Sequence, residues 1–473
     1  MPPEEQPQCH QKFLAACGIF RRRGHPQGHC TAAVRGMAIA SAAYVIRSPG
    51  WAVALAVLCS TTAYFAQERG ADDLVQADVR AFYERTANRP VWVDVHGRPT
   101  DLAWRALGRL RAAGDDGLVD EDYERVDLEY DASALAVGAS TVDAAAFDVR
   151  LTRSVLQYFR DLHVGRVDPR ALGFHLDHQV EPHDFPAWLQ SAVSRRSFDA
   201  VVTALRPPFL QYRRLKQMLA TYREDDAARG RQIELAMERL RWLPDLAGER
   251  LIVVNIPMFH LWSWESERGD GLSVIDMAAI TGRAGAANTP VFTSRITLVV
   301  LNPAWVVPDS IARNEILPAI GRDPDYLARN HMEMTRKGSN VRFRQAPGPW
   351  NELGQMKFIM PNVHGVYLHG TSAPELFERA RRDFSHGCVR LQDPLRLAEW
   401  VLSGEEGWTR QRMIDVIAQG KTRTVTVSRP PRVVLFYATA AFIPEQGDVR
   451  FVNDIYGHDA RLDAWLMART RED

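Results

Sequence analysis

Apolar positions recur at helical spacing from Leu74 to about residue 170, and at Leu251 they give way to short β-branched and aromatic runs. Val75, Val79, Phe82 and Tyr83 form one helical stripe. Thr100 is placed to cap a helix over residues 101–113 that carries Leu102, Leu107 and Leu110 and is closed by Gly114. A second stripe (Phe147, Leu151, Val155, Tyr158, Phe159) predicts a helix over residues 145–162. Residues 198–246 are helical again and rich in arginine, with Arg213, Arg214, Arg223, Arg229, Arg231, Arg239 and Arg241 reading as a solvated basic face. Strand-like runs cover residues 251–256, 296–301 and 433–437, with shorter candidates at 273–275 and 366–368 and glycine or proline turns between them. Between residues 308 and 345 the pattern turns helical and polar (Ile311, Ile316, Leu317, Tyr326, Leu327), as expected of an insertion projecting from a sheet. The pattern predicts an α+β chain: an all-helical domain over residues 71–246, then a mostly-β domain over 247–465 with a helical lid at about 308–345.

A chain of 473 residues is too long for one core. Lys and Arg together number 58, as do Asp and Glu, so no net charge draws the chain to nucleic acid. Residues 1–70 look unlike a folded domain. Basic residues outnumber acidic ones before Trp51, and two apolar runs follow, Met37 to Ile46 and Trp51 to Phe65, with small residues at Ser60 to Ala63. That is the pattern of an export signal or signal-anchor at the inner membrane, with Met37 as a second candidate start; a buried core helix is the alternative. Four of the five cysteines (Cys9, Cys17, Cys30, Cys59) fall there, so a processed chain keeps only Cys388. In an oxidising compartment that thiol has no intramolecular disulfide partner, and is either an inert packed group or a working one.

Its surroundings favour work. Phe384-Ser385-His386-Gly387-Cys388-Val389-Arg390 places glycine beside the sulfur, where backbone can approach a substrate, and His369 lies nineteen positions upstream. A free thiol is only slightly ionised at neutral pH and needs a base, a cation or backbone N–H groups to become a nucleophile. His369 is the candidate base; His386, two residues from the sulfur, competes with it, and His364 reads as a loop residue. The N–H groups of Gly387 and Cys388 are natural donors to a developing oxyanion. No carboxylate sits at a telling spacing, which leaves a backbone carbonyl to orient His369. The combination predicts a cysteine acyl-transfer enzyme.

The chain resembles the L,D-transpeptidases of bacterial cell walls, and among them the large Gram-negative members with a helical scaffold and an inserted lid. The resemblance spans roughly residues 250–460. It rests on Arg241-Trp242-Leu243-Pro244 leading to Val253-Val254-Asn255-Ile256-Pro257, on Thr289-Pro290-Val291-Phe292, and on Asn302 through Pro308. It continues through Arg344-Gln345, Pro347-Gly348-Pro349, Lys357-Phe358, Pro361-Asn362, Val366-Tyr367-Leu368-His369-Gly370 and Asp454-Ile455-Tyr456-Gly457. Residues 72–172 resemble the scaffold more loosely.

The resemblance implies Cys388 as nucleophile and His369 as base, with Ser385, His386 and Gly387 beside the sulfur. It places Tyr367 at the cleft and Arg390 near the substrate's carboxylates, although Arg390 also fits a structural ion pair; Trp305 fits a pocket wall or the core. The implied partners are a donor tetrapeptide stem and an acceptor stem of peptidoglycan, joined by 3→3 links in the periplasm, and carbapenem-type β-lactams as inhibitors; no cofactor or metal is implied. An L,D-carboxypeptidase and a non-catalytic wall scaffold are the alternatives, and a metal site of Cys388, His386, His369 and His364 would hold only one cysteine. The peptidoglycan-binding module that such large members usually carry has no room here.

Overall fold

The computed structural model describes residues 72–138, 142–177, 183–246, 248–265, 274–285, 287–338 and 340–469. The basic N-terminus with its candidate export signal and anchor lies outside the described residues. Among those described, no helix is long and apolar enough to cross a membrane.

Thr100 caps the first predicted helix by accepting from the Ala103 N–H at 3.3 Å. The helix runs Asp101–Arg111 and tightens into a 3-10 turn, Ala113–Asp116, ending slightly before the predicted Gly114 stop. Asp143 caps the long helix Ala144–Val164, which buries Phe147, Leu151, Val155, Tyr158 and Phe159 along one side. These pack with Val75, Phe82, Trp92, Leu107 and Leu110 into a helical core that extends to Leu205. The helices Leu210–Asp225 and Ala227–Arg241 behave differently: Leu215, Leu219, Ile233 and Met237 join the core of the sheet.

This changes the arginine-rich face. Arg239 and Arg241 are buried at 1% and 2% exposure, not solvated. Each has a counter-charge, Asp459 for Arg239 and Glu238 at 2.9 Å for Arg241. A charge leaves water only when such a partner replaces its hydration. The Glu238–Arg241 pair lies within this helix, while Arg239–Asp459 and the Arg241 bond to the Tyr212 hydroxyl at 2.9 Å tie it to its neighbours.

The β-domain strands are β1 (Leu251–Asn255), β2 (His260–Trp264), β3 (Ile275–Gly282), β4 (Phe292–Arg295), β5 (Leu298–Leu301), β6 (Trp305–Val306), β7 (Met332–Lys337) and β8 (Asn340–Gln345). They continue as β9 (Met356–Ile359), β10 (Leu368–His369), β11 (Asp383–Ser385), β12 (Val389–Leu391), β13 (Arg423–Thr426) and β14 (Arg432–Phe436). Eleven of them form one mixed sheet in the order β13-β5-β9-β10-β12-β3-β2-β1-β14-β4, with β11 paired to β3. Only Ile296 and Thr297 separate β4, at one end of that path, from β5 near the other, so the sheet curls around its core. The apolar residues of alternate positions, among them Val254, Val299, Phe358, Leu368, Val389 and Leu435, fill that core.

The lid is helical over Asp309–Arg329, including a π-helical turn at Ala312–Ile316. Its second half is a β-hairpin, β7 and β8, to which β6 pairs. Helical periodicity therefore describes only its first half. A small separate core (Trp305, Val307, Ile311, Ile316, Phe343, Leu353) holds the lid together, and Tyr367 packs against it.

Candidate active site

Strand register assembles the site. Parallel pairing sets Leu368 against Val389 and His369 against Arg390, and antiparallel pairing sets His369 against Lys357 of β9. Leu368, Val389 and Phe358 point into the sheet's core. Side chains alternate across a strand, so Lys357, Tyr367, His369, Cys388 and Arg390 share the opposite face. Cys388 lies beside Tyr367, because the Val389 N–H donates to the Tyr367 carbonyl at 3.1 Å. His369 is the diagonal neighbour of Cys388, and diagonal pairs have Cα atoms roughly 7–8 Å apart, within reach of long side chains.

Cys388 is a free, half-buried thiol. Burial pushes its pKa up; the Tyr367 backbone N–H, the Lys357 ammonium, the Tyr367 hydroxyl and the Arg390 guanidinium pull the other way. Burial wins, so the resting group is a thiol more than an ordinary cysteine is. The Tyr367 phenol is pushed up as well, by burial and then by the sulfur it bonds.

His369 is 4% exposed. Burial, followed by the charge of Arg390, lowers its pKa to about 3; the Gly370 and Leu353 carbonyls oppose this, and Lys357 adds to it. The imidazole is thus neutral at physiological pH. No carboxylate orients it; the two carbonyls are its polar surroundings, and Nδ1 has no partner of hydrogen-bond geometry among the described residues.

The loop carrying the sulfur is held from beneath. The Gly387 N–H donates to Ser385 Oγ at 3.1 Å, and that hydroxyl donates to the Cys388 carbonyl. Gly387 sits at φ 109°, a conformation that strains any side chain. Its carbonyl accepts from Thr289 Oγ1 at 2.9 Å, and Thr289 Oγ1 in turn accepts from the Gly282 N–H at 2.8 Å. Tyr456 accepts from the Thr289 N–H at 3.2 Å and donates to the Gly282 carbonyl. Ser385 is buried and clamps this loop, and the Gly387 N–H, a candidate oxyanion donor, points to its hydroxyl. No described residue accepts from the Cys388 N–H.

The other candidates disperse. His386 Nε2 pairs with Glu315 Oε1 of the lid at 2.5 Å, which commits the competing histidine away from the sulfur. Arg390 Nη2 reaches Glu352 at 3.5 Å, and its buried Nε has no hydrogen-bond partner among the described residues. Trp305 is 8% exposed in the lid's own core, so it shapes the cleft only indirectly. His364 packs on His175 and Phe292. Lys357 has no role in the sequence reading beyond belonging to a motif. A lone lysine inside the otherwise apolar strand Met356–Ile359 is the available signal.

A mostly apolar cavity of about 180 Å³ lies elsewhere, between the helices over residues 210–241 and β1, β2 and β14. Trp262, Trp264, Phe209 and Phe442 help line it, and no residue of the candidate site does.

The site is thus a β-rich one, in which a curled sheet presents a half-buried cysteine and a buried histidine beside a lid. Residues 249–425 match the model of the L,D-transpeptidase catalytic domain, and residues 77–219 match that of the scaffold domain. The chain thus carries a catalytic domain of the L,D-transpeptidase family behind a helical scaffold. A curated protein of Haemophilus influenzae described as "Putative L,D-transpeptidase" is 31% identical over 303 residues, covering 60% of this chain. The chain spans 60% of the length of that relative. A solved avibactam carbamoyl enzyme, Ldtfm, aligns with 40% of this chain and 50% of its own at 11% identity. Its TM-score of 0.21 is too low for the likeness to bear on this fold.

Proposed function

We propose that the protein is a periplasmic peptidoglycan L,D-transpeptidase that works through a thioester on Cys388. The observation that carries this reading is the sharing of one sheet face by Cys388, Tyr367, His369 and Arg390, inside a catalytic domain of that family. Neutral His369 takes the thiol proton as sulfur attacks the carbonyl of the third residue of a tetrapeptide stem. The Cys388 N–H and the Tyr367 hydroxyl face the oxygen on which charge develops. Collapse breaks the amide bond, and the imidazolium returns its proton to the departing D-alanine amine. The thioester carbonyl then accepts the side-chain amine of a second stem, which frees the sulfur and forms a 3→3 link. The orphaned Nε of Arg390 is suited to a stem carboxylate.

The test is mass spectrometry of the protein incubated with a carbapenem, with the adduct located by peptide mapping. A single adduct on Cys388, absent from Cys388→Ala, is expected together with release of D-alanine from tetrapeptide stems. An adduct that persists in Cys388→Ala would overturn the assignment.

A further inference from the structure

Lys357 is half-buried, yet it makes no ion pair among the described residues. Lysine seldom leaves water without an anion to replace its hydration. Its Nζ lies 3.6 Å from the centroid of the Tyr367 ring, the ring whose hydroxyl and backbone N–H both reach the Cys388 sulfur. A cation over an aromatic face gains electrostatically but is not neutralised by it. The other cation on this face, Arg390, has a carboxylate within reach at Glu352. The sulfur is therefore the anion that would complete Lys357.

We propose that the ammonium of Lys357, not the imidazole of His369, is the counter-charge that stabilises the Cys388 thiolate as it forms. This rests on the function proposed above. His369 is then charged only in passing, between taking the thiol proton as the sulfur attacks and giving it to the leaving amine. Its setting agrees, since burial, Arg390 and Lys357 all disfavour an imidazolium there, while the sulfur and the lysine each favour the other's charge. The groups facing the sulfur are Lys357 from β9, Tyr367 just before β10, His369 from β10, and Arg390 with its partner Glu352. The pair His386–Glu315 closes the lid side.

The test is the pH dependence of iodoacetamide alkylation of Cys388 in the intact protein, read by mass spectrometry. An opposite charge a few ångströms away shifts an ionisation by about one unit or more. Lys357→Met should move the alkylation midpoint up by about one pH unit, slowing the reaction about tenfold at neutral pH. Lys357→Arg should restore the parent midpoint, and His369→Gln should move it less than Lys357→Met does. Circular dichroism and thermal melting check the fold, with Lys357→Gln as the second variant should Lys357→Met misfold. An unchanged midpoint in the folded lysine variant, or a larger shift in His369→Gln, would overturn the proposal. Carbapenem labelling separates the two ideas. An adduct surviving Cys388→Ala sinks the enzyme assignment, whereas a clean Cys388→Ala result beside parent-like titration of Lys357→Met sinks only the lysine's role.

Discussion

The backbone N–H of Gly387 donates to the hydroxyl of Ser385 across 3.1 Å, and that hydroxyl in turn holds the carbonyl of Cys388. One serine thereby fixes both sides of the nucleophile and removes one of two candidate oxyanion donors. Ser385→Ala should slow carbapenem acylation about tenfold and lower stability by about 1–2 kcal/mol, since two buried backbone groups lose their partner. Acylation kinetics and urea midpoints measure both. A variant faster than the parent would mean that the freed Gly387 N–H serves the oxyanion after all.

Thr289 repeats this logic one layer down. It is fully buried and links the Gly387 carbonyl to the Gly282 N–H. Thr289→Val keeps the shape and removes both bonds, so it should cost about 2–4 kcal/mol and slow acylation. Gly282→Ala should be worse, because its Cβ would lie 1.9 Å from the Ala287 carbonyl oxygen. Soluble yield and thermal midpoint would show the order; an alanine variant as stable as the parent would contradict the packing.

The two histidines flanking the nucleophile should separate cleanly. His386 and Glu315 pair across the lid with side chains 40% and 51% exposed, where ion pairs contribute about 0–1 kcal/mol. His386→Gln or Glu315→Gln should therefore change acylation less than about fivefold. His369→Gln should abolish turnover, because no other neutral imidazole is available to the sulfur. Comparable losses in both histidine variants would return His386 to candidacy as the base.

Acid should weaken the fold before carboxylates titrate. Burial lowers His369 to about 3 and His458 to about 4, below the usual imidazole value near 6.5. Between those values and 6.5 the unfolded chain binds protons that the folded chain refuses, so stability falls as pH falls. Each histidine should contribute up to about 1.4 kcal/mol per pH unit in that window. Urea midpoints should drop from pH 7 to 5, and His458→Gln should flatten the slope. A midpoint constant across this range would place both rings in contact with water.

Much of the architecture was legible because it is local. Apolar spacing and the Thr100 cap predicted the helix Asp101–Arg111, and β-branched runs predicted β1, β5 and β14. The lid hairpin escaped notice because Glu333, Met334, Thr335, Arg336, Arg342 and Arg344 are exposed, leaving little alternation to read. Arg239 reads as surface because its counter-charge, Asp459, lies over two hundred residues away, and Arg241 because the groups that bury it, Tyr212 among them, come from other helices.

Residue types alone determined that Cys388 and His369 were the pair to examine, since nucleophile and base chemistry demands few others. Only the tertiary structure decided which neighbours tune them. Lys357 reaches the site through its register with His369, Ser385 withdraws the Gly387 N–H, and Glu315 engages His386. Side-chain chemistry is written at each position, but strand register and lid placement depend on contacts between distant segments, and these set the charge around a buried sulfur.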